Sequence, residues 1–178
     1  MSDFKVDTLK GKLGGGGARA NLFKCTFSGA NGLTGDAGDK ATHLCKAASL
    51  PGSVVGQVDI PFRGRVLKVA GDRTFENWTV TFINDEDFAI RDQFETWMNK
   101  INGHENGKGE VDPEKYQSVL TVEQLSRDKT SKGLKKIILD GAFPVNISSI
   151  DLSYDTTDAV EEFTVEFAYN YYKTNTTT

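Results

Sequence analysis

The stretch KVAGDRTFENWTVTFINDEDFAIRDQFETWMNKING, residues 68–103, changes hydrophobic period in its middle. From Trp78 to Phe82 the large apolar residues fall on alternate positions, and further on they fall at 90, 94, 97, 98 and 101. The first spacing is that of a half-buried strand and the second that of a helix with one apolar stripe. The segment predicts a strand at about 74–83 feeding directly into a helix. Asn84 is placed to cap that helix, Asp85, Glu86 and Asp87 suit the positive end of its dipole, Lys100 suits the other end, and Gly103 is its stop. Adjacent carboxylates on a helix splay by about 100° per residue and cannot converge on one substrate. Their expected work is architectural.

Working outward, the N-terminal side is extended. Residues 1–20 include the run Gly14, Gly15, Gly16 and Gly17 and predict a flexible arm. NLFKCTF, residues 21–27, alternates as a half-buried strand with Phe23 and Phe27 toward the core. Residues 28–40 are rich in Gly, Asn and Asp and predict a loop, followed by a short strand at 42–48. Residues 53–70 predict two strands of an excursion in which Pro61 requires an edge or a protruding hairpin. That excursion, residues 50–73, is apolar on many alternate positions and is expected to find its cover on a neighbouring copy. Leu50, Pro51, Val54, Val55, Val58, Ile60, Arg63, Arg65, Asp72 and Arg73 are its candidate contact residues, with Gly71 supplying a turn and Asp72 and Arg73 fixing the return.

On the C-terminal side, residues 102–114 read as a polar loop, and strands are predicted at about 116–126, 133–140 and 147–154. The clearest strand is 162–170, where Phe163, Val165, Phe167 and Tyr169 alternate with polar residues. Phe163 and its alternates take the core, which leaves Glu162 and Glu166 on the polar face. The expected organisation is an arm at 1–20, one domain at 21–172 and a polar tail at 173–178.

Composition is that of an ordinary folded domain: 178 residues, 26% charged, 38% hydrophobic. A net charge of −4 argues against a general nucleic-acid binder. The charge is uneven. Residues 3–24 carry five bases against Asp3 and Asp7, and residues 151–178 carry six acids against Lys173, so the two ends attract and would suit head-to-tail contact between copies. With no apolar leader and no membrane-spanning run, the chain is expected in a cytoplasm, with Cys25 and Cys45 as reduced thiols.

Searches for chemistry return architecture. His43 and His104 lie in no metal-ligand spacing. GHENGKGE lacks the spacer and the Ser or Thr of a phosphate loop, and no serine sits in a nucleophile elbow. His43 and Cys45 would share a strand face at about 6–7 Å, too far for a catalytic pair. No catalytic residue, metal or cofactor is expected. A monomeric glycan-binding or hydrolytic β-sandwich would need convergent carboxylates or an aromatic platform, and no spacing supplies them.

ARANLFKCTF, the C-K-A-x-x-L-P segment at 45–51 and the run V-A-G-D-R-T-F-x-x-W-T-V-T at 69–81 together resemble the tail tube proteins of contractile-tailed bacteriophages, over residues 18–172. The resemblance implies a mainly β, α+β fold: two antiparallel sheets in a β-sandwich with one flanking helix, the inner sheet joining a continuous barrel across a hexameric ring. It implies a homo-hexamer stacked into a tube in the virion, assembled in the host cytoplasm, with Glu162 and Glu166 as candidates to face its lumen, or else outward to solvent and sheath. The implied partners are the tail sheath protein, the baseplate and tail terminator proteins, and genomic DNA passing through the lumen without specific binding. Tube proteins of type VI secretion and other contractile injection machines share this architecture and are the alternative reading.

Overall fold

Strict alternation in residues 162–168 buries Phe163, Val165 and Phe167 on one face, each at most 1% exposed. The computed structural model builds a mainly β, α+β fold around them; it describes residues 6–13, 17–27, 29, 31–105, 107–127 and 133–175. In chain order these carry α1 (Val6–Lys12), β1 (Phe23–Thr26), α2 (Gly35–Leu44), β2 (Cys45–Ala48), β3 (Val54–Phe62), β4 (Arg65–Thr74) and β5 (Trp78–Ile83). Then follow α3 (Ala89–Ile101), α4 (Pro113–Tyr116), β6 (Ser118–Gln124), β7 (Lys135–Ile147), β8 (Glu162–Ala168) and β9 (Tyr171–Thr174).

Two antiparallel sheets result. The larger runs β1-β6-β7-β8-β5-β2 with β9 also paired to β7, and the smaller is the hairpin β3-β4. Strand β7 carries both halves of the larger sheet: residues 137–140 pair with β9, and residues 143–147 pair with β8. Gly141 sits at the change of partner with φ +66°, and a Cβ there would lie 2.2 Å from the Asn170 amide nitrogen. Only glycine makes that bend without strain.

The sheet folds over an aromatic core. Phe27 lies 5.0 Å from Phe82 and 6.2 Å from Phe167 between ring centroids, and Phe94 lies 5.7 Å from Phe167. Helix α3 closes this core with Ile90, Phe94 and Trp97, the residues its sequence period picks out. Trp97 buries its ring while its indole N–H donates to the Tyr116 carbonyl at 2.7 Å, so the polar end is satisfied.

Several expectations are corrected. Residues 35–44 form helix α2, so only 45–48 of the expected strand at 42–48 are a strand, and His43 is in the last helical turn. Ala37 and Ala41, spaced by four, bury the helix's apolar face, and three small or polar residues between them hide the period from a search for large side chains. The strand expected at 74–83 starts only at Trp78, because residues 65–74 belong to the hairpin. Gly71, Asp72 and Arg73 therefore lie inside β4 and make no turn. The strand expected at 147–154 is absent: β7 ends at Ile147, and residues 148–161 are a loop. Within the expected arm, residues 6–12 are helical, while Gly14, Gly15 and Gly16 lie outside the described residues, as do Thr176, Thr177 and Thr178 of the expected tail. Strand β9 continues through Thr174, past the expected domain limit of 172.

The helix start is also corrected. Helix α3 begins at Ala89, with Phe88 at the cap position in the left-handed region, φ 53°. Asn84 is instead buried, its N–H and its side-chain amide both donating to Glu161 at 2.8 and 3.0 Å. Four residues of turn separate it from the helix.

Candidate assembly interface

The hairpin is built by pairing rules before anything binds it. Arg63 and Gly64, at φ 47° and 79°, form a two-residue turn with both residues left-handed, the type whose twist matches the flanking strands. Gly64 supplies one of those angles freely. Directly opposed residues share a face, so Val58 with Val69, Ile60 with Leu67 and Phe62 with Arg65 lie on one side. Gln57 with Ala70, Asp59 with Lys68 and Pro61 with Val66 lie on the other, where Lys68 and Asp59 form an ion pair at 3.4 Å. The ribbon is amphipathic.

Neither face is covered. Phe62 is 68% and Leu67 61% exposed, and Val54, Val55, Val58, Ile60, Val66 and Val69 are also exposed. The Arg63 guanidinium stands over the Phe62 ring at 5.5 Å, near the tip. At the base, Trp78 donates from its indole nitrogen to the Ser49 carbonyl at 2.7 Å, and Phe75 packs on Tyr169 and Tyr172 at 5.8 and 5.4 Å. Both ends of the excursion are thereby tied to the core, and the ribbon stands out from a fixed root. A groove of about 330 Å³ at that root is lined by Pro51, Arg73, Phe75, Ile137 and Tyr172 among others. The structure thus gathers Leu50, Pro51, Val54, Val55, Val58, Ile60, Arg63, Arg65, Asp72 and Arg73 into the hairpin and its approach.

Glu162 and Glu166 lie on the outer face of β8. Glu166 is opposite Thr79, Thr164 is opposite Thr81, and the two hydroxyls of the latter pair are 3.4 Å apart. Glu162 pairs with Lys46 on β2. From β8 this face carries Glu162, Thr164 and Glu166, with Ala168 its one apolar side chain.

The acidic turn at 85–87 belongs to neither surface. Lys40, on α2, is held by Asp85 at 3.1 Å and by Asp87, and Asp87 also accepts from the Ala89 N–H at 3.2 Å at the start of α3. The Lys40 ammonium holds the Asp87 carboxyl below the usual carboxylate range, and the same contacts raise Lys40. These carboxylates tie α2 to the turn that opens α3. Lys40 is the residue the sequence reading missed, and an i,i+4 pairing with Asp36 at 3.5 Å was its available signal. The two cysteines, Cys25 buried and Cys45 half-buried, are free thiols in mutual hydrogen-bonding contact, and burial with that contact keeps Cys25 protonated. Among the described residues there is no cluster of three or more His, Cys, Asp or Glu able to hold a metal, and no helix long and apolar enough to cross a membrane.

The phage tail tube protein family matches residues 18–175. The chain belongs to that family. This tail tube protein is 32% identical over 170 residues to tail tube protein gp19 of Enterobacteria phage T4, covering 96% of this chain and 99% of that one. It is 29% identical over 169 residues to the tail tube protein of Serratia phage KSP90, covering 92% and 93%. It is a structural protein of contractile phage tails. Its fold is shared with a chain of the anti-feeding prophage baseplate, with a TM-score of 0.63 at 13% identity over 88% of this chain and 94% of that one. A chain of an extracellular contractile injection system's sheath–tube complex gives 0.57 at 13% identity, over 89% and 90%.

Proposed function

We propose that this tail tube protein closes into six-membered rings that stack into the DNA-conducting tube, inside the sheath and between baseplate and terminator. The carrying observation is the β3–β4 hairpin, whose apolar face of Val58, Ile60, Phe62, Leu67 and Val69 is exposed in the single chain. Exposed apolar surface of this kind favours a partner, and a partner of identical chain gives a repeating contact. The open edges of the sandwich support the same reading, since a barrel continued from copy to copy leaves no edge free for uncontrolled pairing. The baseplate structure sharing this fold is six-fold symmetrised, which supports the ring number.

The polar outer face of β8, with Glu162 and Glu166, is assigned to the lumen. A basic pore would hold the genome by releasing counterions from each phosphate it neutralised, whereas an acidic or neutral one lets it slide. Shortening residues 53–64 is expected to leave a folded monomer that grows no tubes in negative-stain micrographs. Normal tubes from that variant would overturn the assignment of the hairpin.

A further inference from the structure

Two surfaces outside the hairpin also lack cover, and they are complementary. Helix α1 and the residue after it carry Val6, Leu9 and Leu13 at i, i+3 and i+7, exposed by 67%, 63% and 49%, with Lys10 and Lys12 beside them. The loop between β7 and β8 carries Leu152, Tyr154 and Val160, exposed by 80%, 105% and 67%, and Leu152 and Val160 line a cleft of about 350 Å³. Asp151, Asp155 and Asp158 stand in the same loop. One surface is an apolar stripe flanked by bases, and the other is a cleft of mixed lining, with Ile150, Leu152 and Val160 among polar and acidic side chains.

We infer that α1 of one copy seats its Val6, Leu9 and Leu13 stripe in the 149–161 cleft of the next copy, with Lys10 and Lys12 facing the loop aspartates. The reason for a second copy is the position of the two surfaces along β7. The chain enters the fold where Gln124 donates to the Arg19 and Leu22 carbonyls at 2.6 and 2.7 Å, and Gln124 pairs with Lys135, the first residue of β7. The loop leaves from Ile147, the last residue of the same strand. Thirteen residues of strand span about 40 Å if straight and about 30 Å with a right-angled bend. The six residues from Leu13 to Arg19 reach about 20 Å at full stretch. Within one chain the contact strains the linker, and between chains it does not. A contact between unlike surfaces at opposite ends of a molecule is head-to-tail, so it propagates from copy to copy. It rests on the tube assembly proposed above but uses none of the hairpin residues.

The test places a photo-crosslinking amino acid at Leu9 in the full-length chain and mixes it with isotopically heavy, unmodified chain under assembly conditions. Crosslinks from position 9 are expected in residues 149–162 and on the heavy copy. Crosslinks elsewhere, on the same copy only, or none, overturn the inference, and tubes visible in the same sample leave the tube reading standing. A charge exchange gives a second readout. Lys10→Glu with Lys12→Glu, and separately Asp155→Lys with Asp158→Lys, should each slow tube elongation about tenfold at low salt. Combining the four should restore it. Elongation unchanged in either double variant, or failure of the combination to recover, would reject the pairing. A chain whose wild type forms no tubes but still crosslinks from 9 to 149–162 between copies would keep this contact and remove the tube.

Discussion

At the residue scale, the molecule depends on a few positions whose chemistry allows no substitute. Gly141 combines a left-handed φ of +66° with a neighbour 2.2 Å from any added Cβ, so Gly141→Ala should cost at least about 1–3 kcal/mol in chemical denaturation. Phe167, fully buried and in ring contact with Phe27, Trp78, Phe94 and Trp97, should cost about 3–5 kcal/mol as Phe167→Ala. The ion pairs predict a pH window. Lys40 holds the carboxyl of Asp87 below its usual range, and Lys173 with the Tyr171 hydroxyl does the same for Asp140. A lowered folded pKa adds stability that is complete above the unfolded value near about pH 4 and is lost as pH falls through the folded value. Tm should therefore decline below about pH 4, and less steeply in a Lys40→Met chain. Equal slopes in the two chains would remove Lys40 from the effect. Phe167 could be read from alternation alone. The link from Lys40 to Asp85 and Asp87 could not, because those partners are 45 and 47 residues away; its only local sign was Asp36, four residues back on the same helix.

At the element scale, the fold was legible wherever one face is buried and large side chains mark it. Strands β1, β5, β6 and β8 and helix α3 fall within the spans that alternation and the 3.6-residue period predict. Helix α2 escaped because its buried face is Ala37, Gly38 and Ala41, side chains too small to stand out against Asp36, Asp39 and Lys40. Residues 147–154 suggested a strand because Ile147, Ile150 and Leu152 are apolar, yet β7 ends at Ile147 and Leu152 is 80% exposed. The hairpin was legible as two strands interrupted at Pro61 and Gly64, and Arg63 and Gly64 do make its turn; the further turn expected at Gly71 is absent, because Gly71 lies inside β4. Because β3 and β4 pair only with each other, a Phe62→Asp, Leu67→Asp chain should melt within a degree or two of the parent while losing tube growth. Each fully covered apolar side chain contributes about 1.5–3 kcal/mol, so two lost per copy weigh on every contact of the tube. A large fall in Tm would instead mean that the ribbon packs on its own domain.

At the scale of the whole molecule, polarity is the organising property. Basic and acidic ends, a ribbon on one root and a polar sheet face give the chain direction, and directed units add without limit where symmetric ones stop at a pair. Charge on the β8 face is the test at this scale: Glu162→Lys with Glu166→Lys should leave assembly intact and slow DNA ejection, measured as genome release from reconstituted particles. Ejection at the parental rate would take these two residues out of the lumen assignment. The family likeness and the antiparallel sheets were legible in the sequence, but which side of a sheet would face a pore depends on where other copies stand, and that is set between chains. One further property follows from β7, whose thirteen residues run through both halves of the larger sheet and carry ladders to β6, β9 and β8. Hydrogen bonds across antiparallel strands stand perpendicular to the strand. A thrust directed along β7 therefore loads those bonds in shear, all at once, instead of opening them one at a time from an end. The strand is a tie-rod: force entering the subunit at Lys135 leaves it at Ile147 without crossing a loop.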